Sequence, residues 1–231
     1  MSRNPQDWPH AVVFDLDGTL IDSAPDIAHA LNRAIVTRDL TPFPIEKVKE
    51  MIGGGVPKLI ERALTARGAS QIDVPSVAAD FVRLYRERLT TLTTLYEGAR
   101  DLLERLCYEG RRLGLCTNKQ HELTIEILDE LDLAKYFSSV IGEREGSPRK
   151  PDPAPLREVL ASLGVAPDNA VMVGDSSADI ECARAAGVSA VAVSFGYSHA
   201  APQSLGADAV IDRLADLPGC FSALEPHTEA K

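Results

Sequence analysis

From Gly98 onward the chain alternates helix-spaced apolar stretches with short, almost wholly apolar runs, and few architectures accept that alternation. The runs cover residues 113–117, 139–142, 170–174, 188–194 and 209–211, with helical patterns at 99–109, 122–131, 154–163 and 180–186. Strands buried on both faces read as continuous apolar segments, and crossover helices between them make neighbouring strands parallel. The expectation is an α/β fold with a Rossmann-like parallel sheet. Gly187, just past the last helical pattern, suits a left-handed helix cap. A further strand is expected at 11–14, where the run Ala11-Val12-Val13-Phe14 ends abruptly in Asp15 and Asp17.

Between that first strand and the alternating region, residues 24–95 hold no convincing strand. Ile27, Ala30, Leu31 and Ala34 mark one amphipathic helix, and Ile45, Val48 and Ile52 a second. Leu59, Ile60, Ala63 and Leu64 mark a third, with Pro57 in its first turn. A fourth is expected over 77–92, carrying Phe81, Leu84, Tyr85 and Leu89 on one stripe. An all-helical stretch inserted after the first strand should form a small separate unit. The expected division is a catalytic core from 1–22 and 96–231 and a helical cap from 23–95; 231 residues suffice for one large core and such an insert.

A net charge of −10 opposes nonspecific attraction to nucleic acid or anionic lipid, so neither is an expected partner. No apolar stretch approaches a membrane span, and the first residues lack the apolar core of a signal peptide, so a cytoplasmic location is expected. Cys107, Cys116, Cys182 and Cys220 show no close C-x-x-C spacing and read as reduced, partly buried thiols. His10, His29, His121, His199 and His227 make no ligand cluster, and residues 1–8 and 225–231 read as loose ends.

Four segments put polar groups at or just beyond strand ends: Asp15 with Asp17, Thr117 with Asn118, Lys150, and Asp175 with Asp179. In a parallel sheet the carboxyl ends of the strands share one edge, so these groups can converge although they span most of the chain. Gly18 and Thr19 allow a tight turn that could aim N–H groups at an anion. One carboxylate could attack phosphorus and the other move a proton, with a divalent cation between them. Each segment also has an ordinary reading. Thr117-Asn118 could cap a helix, Lys150 could be a solvated loop residue, and Asp175 with Asp179 could be a turn and a cap.

Together the segments resemble the haloacid dehalogenase superfamily, specifically its phosphatases with a small helical cap. The motifs are Asp15-Leu16-Asp17-Gly18-Thr19-Leu20-Ile21-Asp22-Ser23, Cys116-Thr117-Asn118-Lys119, Lys150-Pro151-Asp152-Pro153 and Gly174-Asp175-Ser176-Ser177-Ala178-Asp179, and the resemblance runs from Ala11 to about Val210. It implies a Mg²⁺-dependent phosphomonoester hydrolase in which Asp15 accepts the phosphoryl group and Asp17 carries the proton. It also implies a metal held by the Asp15 and Asp175 carboxylates and the Asp17 backbone carbonyl. Gly18, Thr117, Asn118 and Lys150 would bind phosphate, with Asp179 orienting Lys150 or metal-bound water.

The segment Met51-Ile52-Gly53-Gly54-Gly55-Val56-Pro57-Lys58, followed by Glu61-Arg62-Ala63-Leu64, is similar to the cap of phosphoglycolate phosphatases. Gly54 and Gly55 could let backbone approach a small ligand and Lys58 could meet a carboxylate, or the stretch could be a flexible connection with an exposed lysine. His29 and Arg33 read as ordinary residues. The expected substrate is a small phosphorylated metabolite, 2-phosphoglycolate first, with sugar phosphates and amino-sugar acid phosphates as alternatives within carbohydrate metabolism. A phosphomutase and a phosphate-binding module without turnover remain open, and the chain is expected to be a monomer or homodimer. Intact Asp17 and Asp175 argue against a metal-free dehalogenase. No apolar setting marks Lys47, Lys49 or Lys58 for Schiff-base chemistry.

Overall fold

The structure, a computed structural model, describes residues 8–198 and 200–224; His199, His227 and the remaining terminal residues lie outside the described residues. In it the first apolar run becomes β1 (Ala11–Phe14), an inner strand of a six-stranded parallel sheet. The sheet order is β5 (Ser139–Glu143), β4 (Arg112–Gln120), β1, β6 (Ala170–Gly174), β7 (Ser189–Val193) and β8 (Ala209–Ile211). The chain therefore builds outward from β1 in both directions. That makes the carboxyl end of β1 a topological switch point, where open α/β sheets form their crevice.

Strand alternation sorts the core into two layers. Val12 and Phe14 face one side with Leu113, Leu115, Val171 and Val173, against α5 (Ala99–Tyr108) and α6 (His121–Glu130). Ala11 and Val13 face the other with Met172 and Ala190, against α7 (Ala154–Leu163) and α8 (Ser177–Ala186). Each large apolar side chain removed from water contributes roughly 1.5–3 kcal/mol. Gly187 closes α8 in the left-handed region at φ 77°, as its position predicts. Trp8, expected in a loose end, donates its indole N–H to the Asp168 carbonyl and packs edge-on against Phe221.

Between β2 (Ile21–Asp22) and β3 (Thr94–Leu95) the chain makes four helices: α1 (Ala24–Val36), α2 (Ile45–Lys49), α3 (Gly55–Ala66) and α4 (Val74–Arg86). β2 and β3 pair antiparallel, so the exit and return of this helical block lie side by side. That two-residue ladder is too short to leave a period in the sequence, and it corrects the expectation of no strand through residue 95. The fourth helix also departs from the expected 77–92. It starts earlier because the Asp73 side chain accepts the Ser76 N–H as a cap. It stops earlier because Asp26, buried on α1, accepts the N–H groups of Leu92 and Thr93 and the Thr93 hydroxyl at 2.7–2.8 Å. Donors that a longer helix would use internally are spent on that carboxylate.

Asp26 therefore fastens the return segment to α1. Asp26→Ala would leave these donors without their acceptor, at a cost of about 3 kcal/mol in unfolding free energy. Urea denaturation monitored by circular dichroism measures this, and a loss below about 0.5 kcal/mol would remove Asp26 from that role.

Candidate active site

Asp15 follows β1 directly, and its N–H still donates to the Val173 carbonyl of β6, which fixes it at the strand's end. Asp175 follows β6 in the same way, and Lys150 arrives from the loop between β5 and α7. All three are buried. The Lys150 ammonium donates to the Cys116 carbonyl at 2.7 Å and to Asp179 Oδ1 at 2.5 Å, and lies 2.9 Å from Asp15 Oδ1. Burial works against the lysine's charge, but Asp15 and Asp179 outweigh it and hold the ammonium well above its ordinary pKa. Burial pushes Asp15 up to about 6; Lys150 pulls against that rise and Asp179 adds to it. Asp175 is driven well above the usual carboxylate range by burial and by Asp179 and Asp15, although the Tyr197 N–H, 2.6 Å from its Oδ2, pulls it back.

Carboxylate oxygens of Asp15, Asp175 and Asp179 lie within 4.8 Å of one another. Three buried carboxylates face one ammonium, and a hard divalent cation fits that excess of oxygen and negative charge. Their capacities differ. Asp179 is spent: Oδ1 accepts from Lys150, while Oδ2 accepts the Ser176 N–H and hydroxyl in the capping box that starts α8. Asp15 Oδ1 touches the ammonium but receives no directed hydrogen bond, which leaves a buried oxygen with bonding capacity. The donor set thus fits a cation on Asp15 and Asp175, with Asp179 organising the lysine.

Two of the expected phosphate contacts are occupied otherwise. The Gly18 N–H donates to the Ile21 carbonyl and the Thr19 N–H to Leu16, so the turn consumes the groups expected to face an anion. Gly18 serves close approach instead: at φ 82°, a Cβ there would meet Asp175 Oδ2 at 2.5 Å. The Asn118 side chain is also engaged. Its Nδ2 donates to the Lys150 carbonyl and its Oδ1 accepts the Lys150 N–H, both at 2.9 Å, so it clamps the lysine's backbone. Thr117 is buried beside the carboxylates, where its hydroxyl accepts the Lys119 N–H.

Asp17 shows a partner that sequence reading missed. Its carboxylate accepts from the Ser23 hydroxyl at 2.5 Å and from Lys119 Nζ at 3.0 and 3.1 Å. Lys119 also donates to the Tyr85 hydroxyl on α4, at 2.9 Å. Burial disfavours the Lys119 charge, yet Asp17 and Tyr85 keep it above its ordinary value. Tyr197 was missed as well; besides holding Asp175, its hydroxyl donates to Asp22 at 2.7 Å and accepts the Ala24 N–H at 3.0 Å. Period-two spacing from Thr117 is the signal that could have pointed to Lys119, had the strand been carried to Gln120. Tyr197 lies in irregular chain and leaves no such signal.

Asp15, Asp17, Thr117, Asn118, Lys150 and Asp175 line one cavity of about 330 Å³, roofed by residues 52–56, Leu59, Phe81 and Tyr85 of the helical block. Gly54 and Gly55 are in that roof. Lys58 is not: its ammonium pairs with Glu61 at 2.7 Å on the exposed face of α3. The cation that reaches the cavity from α3 is Arg62, one turn further on. Arg33 pairs with Glu87 at the surface, in keeping with an ordinary role.

The chain matches the model of the haloacid dehalogenase-like hydrolase family over residues 12–193. It is 44% identical over 215 residues to the phosphoglycolate phosphatase of Rhodospirillum rubrum, covering 90% of this chain and 89% of that one. It is 38% identical over 227 residues to the phosphoglycolate phosphatase of Pseudomonas fluorescens, covering 96% and 82%. The fold is similar to a crystal structure from Haemophilus somnus described as a predicted phosphoglycolate phosphatase. There the TM-score is 0.86 at 29% identity, with 91% of this chain and 96% of that one covered.

The roof meets the sheet at Gly55. Its φ is 78°, and a Cβ there would stand 2.5 Å from Glu143 Oε2 and 3.4 Å from Arg149 Nη1, two side chains that pair at 2.9 Å. Gly54 has ordinary negative φ and meets only Lys58 and Arg62 side-chain atoms. Gly55→Ala should therefore cost about 2 kcal/mol of stability, from the left-handed backbone and the contact together, and Gly54→Ala clearly less. Equal losses in chemical denaturation would show that the Gly55 contact carries no weight.

Proposed function

The chain belongs to the haloacid dehalogenase-like hydrolase family and is a phosphatase, and from that premise we propose that it hydrolyses 2-phosphoglycolate through a phosphorylated Asp15. The observation that carries this reading is the Asp15 carboxylate, buried at the floor of the cavity and held beside Lys150 and Asp175. Even pushed up to about 6, its carboxyl is ionised at neutral pH, as an attacking group must be. Residues 23–95 act as a cap: they roof the cavity and keep bulk water from the reacting edge.

In the first step an Asp15 carboxylate oxygen forms a bond to phosphorus as the ester P–O bond breaks. The departing oxygen takes a proton from Asp17, which Ser23 and Lys119 hold in place. In the second step water attacks the phosphorus, Asp17 accepts the proton, and Asp15 is released with inorganic phosphate. Lys150 keeps positive charge beside the nucleophile throughout, and Thr117, which lines the cavity, donates its hydroxyl to a phosphate oxygen in this reading. Asp15, Asp175 and the Asp17 backbone carbonyl would hold Mg²⁺, which supplies the charge that lets a carboxylate approach a phosphate dianion. The small cavity, walled largely by apolar side chains away from the carboxylates, suits a compact ester.

Phosphate release from a panel of small phosphorylated metabolites, ranked by kcat/KM, tests the substrate; 2-phosphoglycolate should rank first, and preference for a sugar phosphate would overturn that assignment. Asp15→Asn keeps the shape and removes the nucleophile, so turnover should fall at least a thousandfold with the fold intact, on the order seen when nucleophiles are removed. Activity within tenfold of the parent enzyme would reject the mechanism. Chelation should abolish turnover and added Mg²⁺ restore it, whereas full activity in chelator would remove the metal.

A further inference from the structure

Resting on the phosphatase reading, we infer that Arg62 is the residue that reads a carboxylate on the substrate's leaving group. Among the described residues three cations line the cavity, and two are already matched. Lys150 faces Asp15 and Asp179, and Lys119 faces Asp17. Arg62 is different. Its Nη1 donates to the carbonyls of Met51 at 2.9 Å and Ile52 at 3.3 Å, which orients the guanidinium along the α2–α3 turn. Among the described residues no carboxylate lies within ion-pair distance of it.

A guanidinium held by two carbonyls retains its full charge and most of its five donors. Nη2 runs beside the glycine turn: a Cβ on Gly54 would lie 3.8 Å from it, and glycine leaves that edge clear. The other two cations reach the cavity from the side of the sheet, Lys119 from β4 and Lys150 from the loop beyond β5. Arg62 belongs to the roof and stands exposed at the rim, where the part of the ester that departs must lie. A planar fork of donors matches a carboxylate in two parallel hydrogen bonds, which a lysine cannot reproduce. The substrate class follows: short phosphate monoesters with a carboxylate near the ester oxygen, in preference to neutral alcohol phosphates of the same length.

The test compares 2-phosphoglycolate with 2-hydroxyethyl phosphate, which keeps the ester and replaces the carboxylate by an alcohol. Arg62→Gln should raise KM for the carboxylate ester by about 10- to 100-fold, the scale of a lost charge-assisted contact, with kcat and all constants for the alcohol ester within about threefold. Arg62→Lys should recover only part of the loss. Binding separates this inference from the chemistry. In an Asp15→Asn background, Arg62→Gln should weaken 2-phosphoglycolate binding in calorimetry by a similar factor and leave inorganic phosphate binding unchanged. Equal losses for both esters, or none for either, would overturn the assignment. So would unaltered 2-phosphoglycolate binding in the double variant, even if Asp15 proved to have no part in turnover.

Discussion

Among the described residues Lys150 is the only ammonium that touches both Asp15 and Asp179, and the rest of the site depends on that bridge. Burying several carboxylates at one end of a sheet costs far more than hydrophobic packing nearby can offset unless charge is matched locally. One lysine cannot match three carboxylates, and the raised Asp15 and Asp175 carry the remaining imbalance. The negative charge left over fits a divalent cation on Asp15 and Asp175. Asn118 matters through the same lysine, because it grips both backbone groups of Lys150 and so sets where the ammonium ends.

Topology explains why groups so distant in sequence meet at all. β1 lies between β4 and β6, and the strand order reverses around it. Asp15 and Asp175, just past the ends of β1 and β6, and Thr117, in the second half of β4, are thereby neighbours, and Lys150 enters from the loop beyond β5. The helical block leaves and re-enters the core through the β2–β3 ladder, a few residues past Asp17. The block is thus anchored next to Asp17.

The parallel sheet was legible because strands buried on both faces leave unbroken apolar runs, as 170–174 does. Asp15, Thr117, Lys150 and Asp175 were legible because each sits at the end of such a run or in the loop that follows. What sequence could not reveal was how local hydrogen bonds were already spent. Gly18 and Asn118 carry the right chemistry for an anion, yet an Ile21 carbonyl takes the Gly18 N–H and Lys150 takes both ends of the Asn118 amide. Lys58 and Arg62 are four residues apart on one helix face, so periodicity could not say which reaches the cavity. Glu61, beside Arg62 and three residues on from Lys58, pairs with Lys58 on the exposed face of α3.

Apolar packing runs from the helical block into the core, but two further contacts between roof and sheet are polar and sit at the site itself. Tyr85 on α4 accepts from the same Lys119 ammonium that holds Asp17, and burial pushes its phenol up to about 12, so it stays a neutral hydroxyl. Gly55 on α3 abuts Glu143, whose Oε2 is buried without a hydrogen-bond donor. A roof fixed by a broad apolar seam would be indifferent to the charge state below it. One that reaches Asp17 through a shared ammonium is not, because Lys119 can satisfy both partners only while α4 lies over the cavity. Enclosure of the cavity and placement of the Asp17 carboxylate are thus coupled through one side chain, and the position of the helical block bears directly on the groups beneath it.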